Sequence, residues 1–438
     1  MRGKKTSEES SLVEKIKAVR GMHDITPARS RQWAAMETQL ARLLGCYGYA
    51  EIRTPIVEST SLFKRSIGEV TDIVEKEMYT FGDRNDDSLS LRPEGTASCV
   101  RSVIEQGLLD IPQKLWYCGP MFRYERPQKG RQRQFHQIGG EAFGFEGVSI
   151  EVETLLMHKR FWEALGLSEH VELEVNTIGS LACRSRYREA LVAYLERFRG
   201  DLDADSQRRL ETNPLRILDS KDSGTQRVLQ EAPVLDDYLH DDSRAQFELL
   251  QQKLSDLGIS ARRNAKLVRG LDYYNDTVFE WVSGLLGAQA TVCAGGRYDS
   301  LVEQLGGKPA PAFGFAMGLE RLMLMLEETE FAGLDVPEMV DIYVVVADSS
   351  YQDRAFEIAE ALRNRFPDKT CYQHLNQGSM KSQFKRADRF AASYVLVIAE
   401  QEFISHSVAV KNMQTGEQQS CDVSDSYDSL FAALRFDA

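Results

Sequence analysis

Residues 115–145, LWYCGPMFRYERPQKGRQRQFHQIGGEAFGF, decide the fold. Two strand-like runs flank a loop at 126–133 that carries Arg126, Lys129, Arg131 and Arg133. A tight hairpin needs only about two to five loop residues, so this longer polar loop suggests one kept for a ligand. Strand side chains alternate in direction, which puts Met121, Arg123 and Glu125 on one face and Gln137, Gly139 and Glu141 on another. Pairing with those faces aligned would bring a cation and three polar groups onto one floor: an anion site with a basic gate. An exposed hairpin with a solvated polar face fits this stretch equally well.

Around it lies a chain of 438 residues, too long for one ordinary core. A prior of roughly 150 residues per domain suggests two or three domains. The composition, 42% apolar and 27% charged, is that of a globular protein. A formal net charge of −13 argues against nucleic-acid binding by bulk charge, so any RNA contact needs local basic patches. Seven cysteines are scattered without a CxxC pair or zinc spacing, and the seven histidines form no HxH or HExxH, so no metal site is expected. Dispersed cysteines read as reduced thiols. No apolar run approaches the ~18 residues of a membrane span. The first residues, MRGKKTSEESSLVEKIKAVR, lack the apolar core of a signal peptide and read as a polar extension over 1–18, leaving the cytoplasm as the expected location.

Outward from the hairpin, Trp33, Met36, Leu40, Leu43 and Leu44 recur at helical spacing over 30–48. Residues 49–57, with Pro55 inside, read as an edge strand or a strand end. Short strands are expected at 78–81 and 89–91, a helix opening at Pro93–Gly95, a helix over 152–165 and a strand over 171–178. The stretch at 180–260 is charged and helical in pattern, like an insertion into a mainly β domain. Strands resume at 265–268, 277–282 and 291–294, followed by a Gly295-Gly296 turn, a helix over 299–305, and a glycine-rich strand and helix in PAFGFAMGLERLMLML. An acidic linker is placed at 331–339. Beyond it, over 340–438, strand and helix alternate as in a compact α/β domain. Lys381, Lys385 and Arg389 share one helix face there, either a solvated stripe or an RNA contact.

No GxxxxGK[ST] and no post-strand GxGxxG is present, so a nucleotide would have to be held by arginines. Three are suitably placed: Arg123 beside the basic loop, Arg269 at an expected strand end before a glycine, and Arg321 near a helix start.

At this point a resemblance becomes plain. GPMFRYERPQKGRQRQFHQIGGEAFG resembles motif 2 of class II aminoacyl-tRNA synthetases, GFAMGLERL resembles motif 3, and the neighbourhood of Pro55 resembles motif 1. LVRGLDYYNDTVFEW, CAGGRYD, VRGMHDITP and LRPEGT are similar to signatures of the histidyl-tRNA synthetases of bacterial type. The resemblance covers nearly the whole chain. It implies an α+β catalytic domain over 19–330, an antiparallel sheet flanked by helices with the helical insertion, and a C-terminal α/β anticodon-binding domain.

The resemblance also implies substrates and roles. ATP with Mg²⁺, L-histidine and tRNA(His) would be bound by a homodimer. Arg123 would bind the α-phosphate, Glu125 the adenine amino group, Phe135 the adenine ring and Arg321 the γ-phosphate. Glu94, Thr96 and Gln137 would receive the α-amino group of histidine, and Glu141 and Tyr274 its imidazole, with Tyr273 lining that pocket. Arg269 would bridge the histidine carboxylate and the α-phosphate. Arg126, Lys129, Arg131 and Arg133 would meet the tRNA acceptor end. The nearest rival is a synthetase-like regulatory subunit of an ATP phosphoribosyltransferase, which departs at the catalytic arginines and lacks the C-terminal domain. A same-subclass synthetase for another amino acid fits the histidine signatures less well.

Overall fold

The computed structural model describes residues 15–68, 71–331, 333, 339–375 and 378–436. Residues 1–14 of the expected extension, and 332 and 334–338 of the expected linker, lie outside that set. The chain divides into two compact units, Met1–Leu334 and Asp335–Ala438.

In the first unit the chain runs through α1 (Pro27–Cys46), β1 (Ala50–Glu51), β2 (Val57–Ser59), α2 (Thr60–Ile67), β3 (Thr80–Gly82), β4 (Ser88–Leu91) and α3 (Thr96–Glu105). The hairpin β5 (Gln113–Phe122) and β6 (Gln134–Phe143) follows, then α4 (Ser149–Ala164) and β7 (Glu172–Thr177). Helices α5 (Leu181–Leu195), α6 (Ala204–Thr212), α7 (Ser223–Leu229) and α8 (Asp241–Asp256) lead to β8 (Ala261–Arg263). The unit closes with β9 (Asn275–Val282), β10 (Thr291–Arg297), α9 (Ser300–Gln304), β11 (Ala312–Gly318) and α10 (Leu319–Glu328).

Eight strands form one sheet in the order β1-β5-β6-β11-β10-β9-β7-β8. Its six inner strands pair antiparallel, while β1 and β8 add parallel at the two edges. A single residue step along β6 changes faces. Ile138 and Ala142 pack with Trp33, Leu40 and Leu44 of α1, Leu155 and Phe161 of α4, and Leu322 and Leu326 of α10. Each such aliphatic side chain, fully buried, contributes about 1.5–3 kcal/mol. Phe143 faces the other way, joining Tyr117, Val100, Tyr273, Tyr274 and Tyr298. That second layer also takes Tyr187, Leu191 and Leu210 from α5 and α6, whereas Phe247 and Leu250 of α8 join the first.

The register pairs Tyr117 with Gly139 and Gly119 with Gln137, so the polar faces of β5 and β6 are aligned. Gly295 and Gly296, expected to form a turn, instead lie inside β10. The reason is steric: a Cβ on Gly295 would sit 2.1 Å from the Gly314 carbonyl oxygen, and one on Gly314 only 1.7 Å from a Glu141 oxygen. These glycines mark close backbone approach, which in sequence looks like a turn. The strand expected at 265–268 is also absent; β8 lies earlier, paired with β7, and the chain runs irregularly from there to β9. Arg269 is therefore carried by a loop and not by a strand end.

The second unit contains β12 (Ile342–Val346), α11 (Gln352–Arg365), β13 (Cys371–Gln373), α12 (Met380–Arg389), β14 (Tyr394–Ile398), α13 (Glu400–Ile404), β15 (Ser407–Asn412), β16 (Gln418–Asp422) and α14 (Asp428–Ala433). Its sheet order is β13-β12-β14-β15-β16, parallel across the first three strands and antiparallel beyond. The short strand β13 and helix α13 carry no pattern long enough to be read from sequence. Gly416, with φ 74°, makes the expected β15–β16 turn.

Candidate active site

A cavity of about 320 Å³ opens on the polar face of the main sheet. Arg123, Arg269, Arg321, Glu94, Thr96, Glu125, Phe135, Gln137, Tyr273 and Tyr274 all border it, so the sheet gathers residues from five separate parts of the chain.

One wall is cationic. The backbone N–H of Arg123 donates to the Arg133 carbonyl at 2.9 Å, extending the hairpin ladder one step past the strand. Its Nε donates to the Pro93 carbonyl at 2.9 Å, and its guanidinium lies 5.2 Å from the centre of the Phe135 ring. Arg321, in the first turn of α10, donates from Nη1 to the Thr291 carbonyl at 2.6 Å and from Nε to the Gly130 carbonyl at 3.2 Å. Burial, with Arg131 close by, lowers the pKa of Arg321 from its ordinary value. Arg269 forms an ion pair with Glu280 and lies 5.5 Å from the Tyr274 ring centre. Its Nε is buried and has no hydrogen-bond partner within the protein.

A second group of residues at the cavity accepts hydrogen bonds. Glu94 receives the backbone N–H of Thr96 at 2.6 Å and of Ala97 at 2.9 Å, which caps the start of α3. Burial raises its pKa, and those two N–H groups work against the rise. Gln137 turns a buried Oε1 that no protein donor satisfies. Among the residues that line the cavity, Gln137 Oε1, Arg269 Nε, Glu125 Oε2 and Arg131 Nε are buried atoms without a hydrogen-bond partner within the protein.

Glu141 is placed differently from its neighbours in the motif. It is completely buried and does not border the cavity. Thr96 Oγ1 donates to it at 2.7 Å, Tyr117 hydroxyl at 3.1 Å, and Tyr298 hydroxyl to its other oxygen at 2.5 Å. Burial pushes its pKa up to about 8, against the pull of those hydroxyls. The Tyr273 ring stands 4.6 Å from that of Tyr274 and 5.6 Å from that of Tyr298, an aromatic stack continuous with this carboxylate's surroundings.

The four basic loop residues separate. Arg126 and Lys129 are exposed. Arg133 lies over Tyr124, 3.7 Å from the ring centre. Arg131 borders the cavity with its Nε 2.6 Å from Glu125, a charge contact whose N–H is not aimed at the oxygen. Three functional candidates escaped sequence reasoning. Tyr298 sits inside CAGGRYD, and Glu280 is a lone acid in the apolar run TVFEW. Glu320 takes the His136 backbone N–H at 3.0 and 2.9 Å and its Nδ1 at 3.0 Å. Among the described residues no group of three His, Cys, Asp or Glu side chains is arranged for a metal. No described helix is long and apolar enough to cross a membrane.

A mostly antiparallel sheet that includes a hairpin with a basic loop, with three arginines gathered at one cavity, is the class II aminoacyl-tRNA synthetase fold. A family model for histidyl-tRNA synthetase matches residues 21–322, and one for an anticodon-binding domain matches 341–430. Histidyl-tRNA synthetase from S. aureus is similar at 39% identity and TM-score 0.79, over 96% of this chain and 100% of that one. A histidyl-tRNA synthetase from Nostoc sp. PCC 7120 shares the fold at 17% identity and TM-score 0.62, over 96% of this chain and 100% of that one. So does an ATP phosphoribosyltransferase regulatory subunit/histidyl-tRNA synthetase from Bacillus halodurans, at 20% identity and TM-score 0.62, over 88% and 98%. The chain belongs to the histidyl-tRNA synthetase family, and its activity is that of a histidine–tRNA ligase.

Proposed function

We propose that the cavity condenses L-histidine with Mg·ATP to histidyl-adenylate, and that histidine then passes to the 3′ end of tRNA(His). The observation that carries this reading is an acceptor and a donor, both without a protein partner, on residues that line one cavity. The Gln137 oxygen, beside the Glu94 carboxylate, suits an ammonium group; the Arg269 Nε suits a carboxylate or phosphate oxygen. A zwitterionic amino acid meets both at once.

A histidine carboxylate oxygen attacks the α-phosphorus and the bond to pyrophosphate breaks. The nucleophile is already an anion, so no general base is needed; the difficulty is bringing anions together. Arg123 and Arg269 take the α-phosphate oxygens, and Arg269 also takes the carboxylate. Arg321 holds the γ-phosphate, Phe135 stacks on adenine and Glu125 receives its amino group. Mg²⁺ arrives as part of the nucleotide substrate. Glu94, Thr96 and Gln137 hold the α-amino group, while Tyr273 and Tyr274 line the imidazole pocket. Glu141 reads the ring N–H once histidine reaches past the tyrosines; an amino acid without that donor leaves the buried carboxylate without its ligand partner. In the second step the terminal ribose hydroxyl attacks the activated carbonyl and AMP leaves. Arg126, Lys129, Arg131 and Arg133 face the acceptor end, and the second unit reads the anticodon. The assembly is a cytoplasmic homodimer with the domain limits given from the sequence.

The regulatory-subunit reading is disfavoured by the same cavity, which retains all three arginines. Pyrophosphate exchange into ATP, measured with each amino acid, tests the proposal. Exchange is expected with histidine alone; its absence in folded protein would return the regulatory reading.

A further inference from the structure

A carboxylate that the adenylation chemistry does not require stands beside the arginine that it requires most. Glu280 lies on β9, where Phe279 and Trp281 point into the helix-packed core and Val278 into the opposite layer. Alternation therefore turns Glu280 toward the cavity, which it borders. One of its oxygens pairs with Arg269 Nη1, and the other receives the Thr291 hydroxyl at 2.7 Å. The Thr291 carbonyl in turn takes Arg321 Nη1 at 2.6 Å. One chain of contacts thus joins Arg269, Glu280, Thr291 and Arg321, four residues from a loop, two strands and a helix.

We infer that Glu280 is the counterion of Arg269 and, through Thr291, the positioning residue that fixes Arg269 relative to Arg321. The inference rests on the adenylation reading above. An arginine has five N–H donors in a rigid plane, so holding one end decides which edge faces the ligand. Glu280 holds Nη1, which leaves the buried Nε without a partner within the protein. Both side chains are largely buried, with 17% and 18% of their surface exposed, so Arg269 would otherwise be a buried cation without a partner. The same negative charge opposes an incoming carboxylate or phosphate. Glu280 therefore costs ground-state affinity and improves geometry in the transition state, two effects of opposite sign.

That opposition gives the test. Glu280→Gln, Glu280→Asp and Thr291→Val are compared with the parent by calorimetric titration of histidine and of inorganic pyrophosphate, and by pyrophosphate exchange. Glu280→Gln should bind both probes about three- to tenfold tighter, because one repelling charge is gone. Its exchange rate should fall about 10- to 100-fold, because Arg269 is no longer held in register. Glu280→Asp keeps the charge and shortens the reach, so it should retain parental affinity and still lose rate. Thr291→Val should also lose rate, and the double variant with Glu280→Gln should be no slower than Glu280→Gln alone. Unchanged or weaker probe binding by a folded Glu280→Gln overturns the counterion, and parental rates in Glu280→Asp or additive rate losses overturn the positioning. If the parent itself shows no exchange, the adenylation reading falls. The pyrophosphate titration still decides in that case whether Glu280 competes for Arg269.

Discussion

Strands β6 and β12 are both covered on two faces, and they use that burial in opposite ways. In β12 every residue is apolar and buried: Ile342, Val344 and Val346 pack with Ile358 and Leu362 of α11, while Tyr343 and Val345 pack with Ala387 of α12. In β6 one face packs like that, through Ile138 and Ala142, but the other carries Gln137, Gly139 and Glu141. The pleat separates cohesion from chemistry within a single strand. The difference teaches why the first cavity opens along the face of β6, whereas the cavity of the second unit meets β12 only at its last residue, Val346: glycines and polar groups leave room and demands, whereas large apolar side chains fill both sides.

Variants can break this contrast. The largest effect is expected from Arg269→Ala, on the chemical face of the first sheet. It should lower pyrophosphate exchange by about 10²–10³-fold in the folded protein, and also lower the melting temperature because the Glu280 carboxylate is left buried without its cation; steady-state kinetics and calorimetry read the two effects separately. Leu396→Ala, at a fully buried position of β14, should cost stability without the loss of rate. Deleting that side chain costs about 2–5 kcal/mol of stability in the second unit, read by chemical denaturation. Residual exchange in the fraction that stays folded should be near parental.

Gly314→Ala probes the boundary between the two uses. Its Cβ would fall 1.7 Å from Glu141. Displacing that carboxylate should cost about 1–3 kcal/mol and raise the KM for histidine more than the KM for ATP. Equal changes in both would place Glu141 outside amino-acid selection.

Glu141→Gln gives the smallest and most specific change. The Glu141 carboxyl rises from 4.5 to about 8, so between those values the folded chain keeps a proton that the unfolded chain has released. Its contribution to stability is therefore full at low pH and is lost as pH rises toward 8. The melting-temperature difference between parent and Glu141→Gln should shift against the parent as pH rises from about 5 to 8. A difference that stays constant would mean that Glu141 is ionised throughout.

Much of this architecture could be read from residue order. The spacing of Trp33, Met36, Leu40 and Leu44 is that of α1, and the run Ile342–Val346 is a strand of the kind that both-sided burial produces. The hairpin's aligned polar faces and the convergence of Arg123, Arg269 and Arg321 also match the sequence reading. What misled it were Gly295 and Gly296, whose composition says turn while their neighbours demand close strand packing. Tyr298 and Glu280 were missed because nothing local distinguishes a strand tyrosine or glutamate that faces a cavity from one that faces solvent.

The sequence carried the family through the resemblance of its motifs to known synthetases, and the two-part organisation through the change of pattern near residue 340, while the polar face of the hairpin by itself fits an anion site and a solvated surface equally well. Only the tertiary structure decided that Glu141 lies beneath the cavity instead of beside it, that Gln137 and Arg269 each keep an unmet polar atom, and that Glu280 and Thr291 link Arg269 to Arg321. Those facts depend on which buried atoms meet across strands and loops far apart in the chain, and no local pattern encodes that.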